Sequence, residues 1–129
     1  MAKPPGAADR KPIHWVGNSN DDLCEMPEDV RIDFGRRLNL AQRGRMPANT
    51  KAWQGEGPGV FQMSKPFATN AYRAVYAAKF EKAIYVLHAF EKKAKSGSKT
   101  DQADIDAVEI ALRSAAEHYA ETYEKNERS

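Results

Sequence analysis

The sequence contains one cysteine, Cys24, and no long run of apolar residues. A single cysteine cannot form an intrachain disulfide, which excludes a disulfide-stabilised scaffold and favours a reducing compartment. No stretch approaches the roughly 20 apolar residues that a bilayer-spanning helix needs. The N-terminus, with Pro4, Pro5 and Gly6, lacks the apolar segment of a secretory signal. These absences predict a cytoplasmic protein.

The chain has 129 residues, the length of one small domain. Residues 1–11 are rich in Pro, Ala and Lys without periodicity, and we expect a mobile N-terminal arm there. Residues 12–123 are predicted to form the single domain. The charged residues 124–129 are predicted to be a frayed tail.

The net charge of +2 conceals a segregation along the chain. Residues 31–99 contain 14 Lys and Arg against 4 Asp and Glu, whereas residues 1–30 contain 3 against 6 and residues 100–129 contain 3 against 8. A basic centre between acidic ends predicts a surface that binds a polyanion. The alternative is that these lysines only keep an ordinary surface soluble.

Periodicity predicts an α+β fold in which helices pack on an antiparallel sheet, in the order β-α-α-β-β-β-α. Proline and glycine in residues 45–58 predict a loop without regular structure, and residues 65–70 are predicted to be a turn. The predicted strands are residues 13–16, 59–64, 72–76 and 83–93. The predicted helices are a short one at 19–26, a longer one at 27–44 and one that begins near Thr100.

Residues 72–76 and 83–93 form the predicted hairpin around which the rest of the chain is organised. Because side chains alternate along a strand, Arg73 shares a face with Val75, while Tyr72 and Tyr76 share the other face. In the second strand the same alternation predicts one face shared by Ile84, Val86, His88, Phe90 and Lys92.

The hairpin also carries a characteristic order of residues: Tyr72-Arg73-x-Val75-Tyr76, followed by Leu87-His88-Ala89-Phe90-x-Lys92-Lys93. This order resembles the signature of the phage-derived Gp49-like, or HigB-like, toxins of the RelE/ParE superfamily. The resemblance extends to residues 27–31, 59–63 and 104–106 and covers residues 12–116. It implies a RelE-like fold and the toxin of a type II toxin–antitoxin system. It also implies a helix-turn-helix, HigA-like antitoxin as partner and cleavage of mRNA on the ribosome.

The sequence offers no metal motif and predicts no cofactor. Its three histidines lie far apart, and Cys24 has no second cysteine nearby. A GxSxG nucleophile turn is also missing. The polar residues that remain are mainly cations on the predicted sheet.

Such cations can cleave RNA without a metal, by holding the ribose 2′-hydroxyl in line with the adjacent phosphate and neutralising the developing charge. Arg73, a planar fork of fixed charge, suits the phosphate, and His88 suits proton transfer because imidazole exchanges protons near neutral pH. The resemblance places Arg73 on the functional arginine of the family's YR motif. It places Lys92 and Lys93 where relatives keep a basic catalytic residue. We expect Arg73, His88 and Lys92 to be catalytic, and the RNA or phosphate to be bound by Lys51, Lys65, Lys93 and Lys95.

Two other interpretations of the function stay open, as do other roles for single residues. The ParE branch inhibits DNA gyrase without nuclease chemistry, so the chain is alternatively a non-catalytic binding module, either a gyrase-directed toxin or a phage-derived accessory protein. A plain RNA-binding protein is a further alternative. For single residues, His88 is alternatively a core histidine, and Trp53 is more often a core side chain beneath a loop than a platform for bases. Gln62 and Ser64 stand where relatives have charged residues. If the reaction needs a lysine at these strand positions, Lys51 or Lys65 would have to substitute for it.

Overall fold

The computed structural model describes residues 10–93 and 100–125. Strand β1 (Ile13–Trp15) is followed by helices α1 (Ser19–Cys24) and α2 (Glu28–Gln42), strands β2 (Thr50–Ala52), β3 (Val60–Phe67), β4 (Asn70–Ala77) and β5 (Ile84–Lys92), and helix α3 (Gln102–Tyr119). A π-helical turn, Ala120–Glu124, continues α3. Across the described residues, no helix is long and apolar enough to cross a lipid bilayer.

Most of the predicted arm and tail lies outside the described residues. Lys11, at the end of the predicted arm, is bound to α2. Its backbone N–H donates to the Gln42 carbonyl over 2.8 Å, and Gln42 Nε2 donates to the Lys11 carbonyl over 2.6 Å. These two hydrogen bonds attach Lys11 to the end of α2.

The five strands form one sheet in the order β1-β5-β4-β3-β2. Strands β2 to β5 make an antiparallel meander, but β1 pairs with β5 in parallel, with Ile13 opposite Ile84 and Trp15 opposite Val86. The α+β fold is as predicted, and the sheet is antiparallel except for its edge strand β1. Two helices and three strands separate β1 from β5, so no hairpin turn fixes their relative direction.

Strand β2 was predicted to be loop. Residues Thr50 to Ala52 pair antiparallel with Met63 to Phe61, so the order of elements is β-α-α-β-β-β-β-α. Three residues are too few to display the alternation by which a strand is recognised. Strand β3 also continues through Pro66, and the predicted turn at 65–70 shrinks to Ala68 and Thr69.

The sheet is covered on both faces. We call the side that packs against α3 the α3 face and the opposite side, packed against α1 and α2, the α2 face. The core of the α3 face includes Val60, Val75, Ala77, Tyr85 and Leu87 with Val108, Leu112 and Ala115 of α3. The core of the α2 face includes Met63, Ala74, Tyr76, Ile84 and Val86 with Val30, Phe34 and Leu38 of α2. Helix stripes at spacings of three and four bury these side chains.

Strand β5 contains a bulge at Leu87. Val75 pairs with His88 while the next residue, Tyr76, pairs with Val86, so Leu87 is an extra residue on this strand. Leu87 packs in the core of the α3 face and His88 contacts α3, so two successive side chains share one face. The predicted common face for β5 is therefore wrong. Ile84 and Val86 lie on the α2 face, whereas the three later residues, His88, Phe90 and Lys92, lie on the α3 face.

Candidate active site

The three predicted catalytic residues come together on the α3 face, where the first turn of α3 crosses β4 and β5. Arg73 pairs with Phe90, and His88 and Lys92 flank Phe90 on the same face of β5. The His88 ring stacks on Phe90 with centroids 5.0 Å apart and planes inclined by 20°. Arg73, His88 and Lys92 are therefore the neighbours of Phe90 on this face of the sheet.

Each of the three makes a contact with the N-terminal end of α3. His88 Nε2 lies 2.8 Å from Asp104 Oδ1. Arg73 Nη1 donates to Thr100 Oγ1 over 3.4 Å. Lys92 Nζ lies 3.9 Å from Asp101 Oδ1, and only 5% of the Lys92 side chain is exposed. The start of α3 thus fixes the arrangement of these side chains.

Arg73 also lines an open cleft of about 260 Å³ between β2, β3 and the start of α3. Lys51 of β2 contributes a second positive charge to its wall, and its side chain is exposed. Gln62, buried on β3, lies opposite Lys51 in the pairing of the two strands. The cleft is lined by Lys51, Ala52, Trp53, Gln54, Gln62, Arg73, Thr100 and Ile105.

Two residues of this cleft carry a buried N–H group without a partner among the described atoms. These groups are Nε of Arg73 and Nε1 of Trp53. A buried donor without an acceptor costs about 1–3 kcal/mol, so folded proteins seldom keep one. Two such donors in one cleft, beside Lys51, would be satisfied by a ligand rich in acceptor oxygens that displaces the atoms now covering them.

The remaining predicted binding residues are dispersed. Lys65 pairs with Tyr72 and lies on the α2 face, away from Arg73. Lys93 follows the end of β5 and is exposed. Lys95 lies outside the described residues. Of the four lysines predicted to bind RNA, Lys51 alone is found in the cleft among those described.

The positive charge of the site comes from side chains. Among residues 10–93 and 100–125, no three His, Cys, Asp or Glu side chains come close enough together to hold a metal ion. The site offers the guanidinium of Arg73, the ammonium groups of Lys51 and Lys92, and the imidazole of His88.

Trp53 and Asp104 lie at the site but were not among its predicted residues. Trp53 was interpreted as a core side chain; it is buried, with 7% exposed, but it also lines the cleft. Asp104 belongs to residues 104–106 of the resemblance, where it has no predicted role. The signal for Trp53 was its position in a Gly- and Pro-rich segment, and no local signal pairs Asp104 with His88.

His14, Tyr76 and Tyr85 have displaced pKa values. Burial lowers the pKa of His14, and the nearby imidazole of His118 lowers it further. Burial raises the pKa of Tyr76 to about 12, and it is also the main reason that the pKa of Tyr85 rises to about 12. His14 Nε2 lies 2.7 Å from the Tyr123 hydroxyl, and His118 Nδ1 lies 2.6 Å from the Tyr85 hydroxyl. These two contacts join β1 and β5 to the C-terminal end of α3 and the turn that follows it.

Comparison with known proteins gives a family and a fold. The chain matches the model of phage-derived Gp49-like proteins over residues 21–113. Its structure is similar to that of a mutant of the E. coli toxin RelE in the free state, with a TM-score of 0.52, 17% sequence identity, and coverage of 81% of this chain and 96% of that one. The likeness confirms the predicted RelE-like fold. Among curated proteins, no sequence matches. Because the family model spans most of the sequence, the chain belongs to the phage-derived Gp49-like family, a family of RelE/HigB-type toxins.

Proposed function

We propose that this chain is the toxin of a type II toxin–antitoxin pair and that it cleaves mRNA bound to the ribosome. The observation that carries the proposal is the cleft in which Arg73 and Trp53 each keep a buried N–H without an acceptor among residues 10–93 and 100–125, beside the ammonium of Lys51. RNA phosphate supplies acceptor oxygens and negative charge to all three. The family, and the basic centre of the sequence, support the same substrate.

Arg73 and Trp53 would bind the phosphate next to the scissile bond. A guanidinium presents its N–H groups in a plane that matches phosphate oxygens, and hydrogen bonds to a charged group are worth about 1.5–3 kcal/mol each. As the phosphate becomes five-coordinate its oxygens gain charge, so donors fixed in the fold stabilise the transition state more than the bound substrate.

His88 would take the proton from the ribose 2′-hydroxyl. The 2′ oxygen then bonds to phosphorus, the bond from phosphorus to the 5′ oxygen breaks, and the released 5′ oxygen takes a proton from water. The products are a 2′,3′-cyclic phosphate and a 5′-hydroxyl, with no metal in the step. Lys92 adds positive charge beneath the site, and Lys51 and Lys93 suit the phosphates on either side.

A toxin of this family implies an antitoxin. We propose a helix-turn-helix, HigA-like protein as that partner and the cytoplasm as the place of action, since ribosomes and their mRNA are found there. Co-expression with the protein encoded beside this chain tests the partner. Relief of growth arrest and joint purification are expected, and arrest that persists despite a soluble neighbour argues against it.

The activity is tested by induced expression of the wild type and of Arg73→Ala, with the 5′ ends of cellular transcripts mapped. We expect growth arrest and new mRNA ends for the wild type, and cleavage reduced at least about tenfold by Arg73→Ala, since one lost hydrogen bond to a charged group is worth that much. Arg113→Ala is the matched control, because Arg113 on α3 is 71% exposed and contacts only Glu109 over 3.6 Å among its described ion pairs. Equal cleavage by the two variants would contradict the role of Arg73.

One observation favours the second candidate, a non-catalytic toxin or accessory protein. His88 and Lys92 face Asp104 and Asp101 of α3, contacts that suit a purely structural role as well. That candidate predicts growth arrest, or binding to a protein target, without any new mRNA ends. Transcript mapping therefore separates the two.

A further inference from the structure

The imidazole of His88 is oriented by a carboxylate from another element. His88 Nε2 on β5 lies 2.8 Å from Asp104 Oδ1 on α3, and the two side chains are 20% and 22% exposed. A carboxylate only accepts hydrogen bonds, so it selects the form of the neutral ring that carries its proton on Nε2. Nδ1 is then the ring nitrogen whose lone pair can take a proton.

A second contact fixes the plane of the same ring. Phe90 stacks on His88 with the planes inclined by only 20°. Its neighbour across the strands is Arg73, the residue that reaches into the cleft. The imidazole is therefore held by an edge contact and a face contact, next to the candidate phosphate-binding residue.

We propose that Asp104 is the positioning residue of the reaction, and that it presents Nδ1 of His88 to the ribose 2′-hydroxyl. The inference rests on the proposed function. The 2′-hydroxyl proton passes to Nδ1 as the bond between the 2′ oxygen and phosphorus forms and the bond to the 5′ oxygen breaks. The resulting imidazolium lies against the carboxylate of Asp104, which offsets its new charge, as a buried aspartate does for the histidine of hydrolytic triads.

The chain offers a matched control for removing this carboxylate. Asp106 lies on the same helix, is exposed, and accepts a hydrogen bond of 2.8 Å from Gln102 Nε2. Asp104→Asn and Asp106→Asn each remove one negative charge near the start of α3. A difference between them therefore reports the contact with His88 rather than the charge of the helix.

The first measurement is single-turnover cleavage of a reporter mRNA in a reconstituted translation reaction. We expect Asp104→Asn to lower the rate at saturating protein at least about tenfold, and by no more than the roughly 10²–10⁴-fold that a general base contributes, with an unchanged half-saturating concentration. Asp106→Asn should cleave as the wild type does. In a His88→Ala background, Asp104→Asn should cause no further loss, because Asp104 acts through His88.

The second measurement does not depend on cleavage. In ¹⁵N-labelled protein, we expect an N–H proton resonance on Nε2 of His88 that Asp106→Asn keeps and Asp104→Ala loses. A proton on Nδ1 instead, equal rates for the two Asn variants, or additive losses in the double variant would overturn the inference. Faster cleavage by Asp104→Asn would overturn it too, since the carboxylate would then repel RNA. A wild type that keeps the Nε2 proton and cleaves no mRNA overturns the proposed function itself, and the positioning role with it.

Discussion

The buried N–H of Trp53 distinguishes a binding residue from an ordinary core residue, and Trp53→Phe tests which it is. The substitution removes the donor and two ring carbons, while a phenyl ring keeps most of the packing. Losing the carbons costs about 1.6 kcal/mol at ~0.8 kcal/mol for each buried carbon group. Removing an unpartnered donor restores about 1–3 kcal/mol. The free energy of unfolding should therefore change by no more than about 1.5 kcal/mol.

On the proposed function, cleavage should respond differently from stability, because the donor, which has no acceptor among the described residues, gains one when RNA binds. A hydrogen bond to phosphate is worth about 1.5–3 kcal/mol, so Trp53→Phe should weaken cleavage about 10- to 150-fold. Urea unfolding and cleavage of a reporter mRNA measure the two quantities. Trp15→Phe is the matched control, since Trp15 lies on β1 and packs against the α2 face, away from the cleft.

Two outcomes would refute this reasoning. If Trp53→Phe loses more than about 2 kcal/mol of stability while its cleavage rate per folded molecule stays normal, the indole is a packing side chain and its N–H does not bind RNA. If Trp15→Phe weakens cleavage as much as Trp53→Phe does, the effect is not specific to the cleft.

Two further predictions concern stability. Gly59 has φ +88°, and a Cβ there would lie 2.6 Å from Lys79 Cβ, so Gly59→Ala should lower the free energy of unfolding by about 2–4 kcal/mol. Gly57 has φ +79° and nothing within 4 Å of a Cβ, so Gly57→Ala should lower the free energy of unfolding only by the backbone strain, about 1–2 kcal/mol. Equal losses of stability for the two variants in urea unfolding would contradict the clash at Gly59. Because the pKa of His14 is lowered in the folded protein, the unfolded chain binds protons more readily, and stability should fall as pH drops below about 6.5. Comparison of wild type with His14→Gln at pH 7.5 and pH 5.5 checks this, and an unchanged pH dependence would count against it.

The sequence allowed the main strands, both long helices and the basic centre of the chain to be predicted, because each depends on local periodicity or on composition. The pairing of β1 with β5 and the bulge at Leu87 could not be predicted in this way. Both depend on contacts between distant segments, and nothing in the run of apolar residues around Leu87 indicates an extra residue. The bulge is what separates His88 from Ile84 and Val86 on different faces.

The candidate site was predictable to a similar extent. Arg73, His88 and Lys92 were identified from the hairpin, and the structure brings them to one face. The sequence did not show that Lys65 lies on the opposite face of the sheet, because that position follows from its pairing with Tyr72. The contact of Asp104 with His88 could not be predicted, because it depends on where α3 crosses the sheet. The sequence of the helix does not specify that crossing.

The outer strands of the sheet are only three residues long, and this leaves most of each neighbouring strand as an open edge. Beyond Val86 no described strand pairs with the outer side of β5, and beyond Met63 none pairs with the outer side of β3. Such edges invite a strand from another molecule and so promote aggregation. The bulge at Leu87 interrupts one edge and Pro66 interrupts the other, and both devices oppose the addition of a strand. These two interruptions therefore act against self-assembly of the sheet.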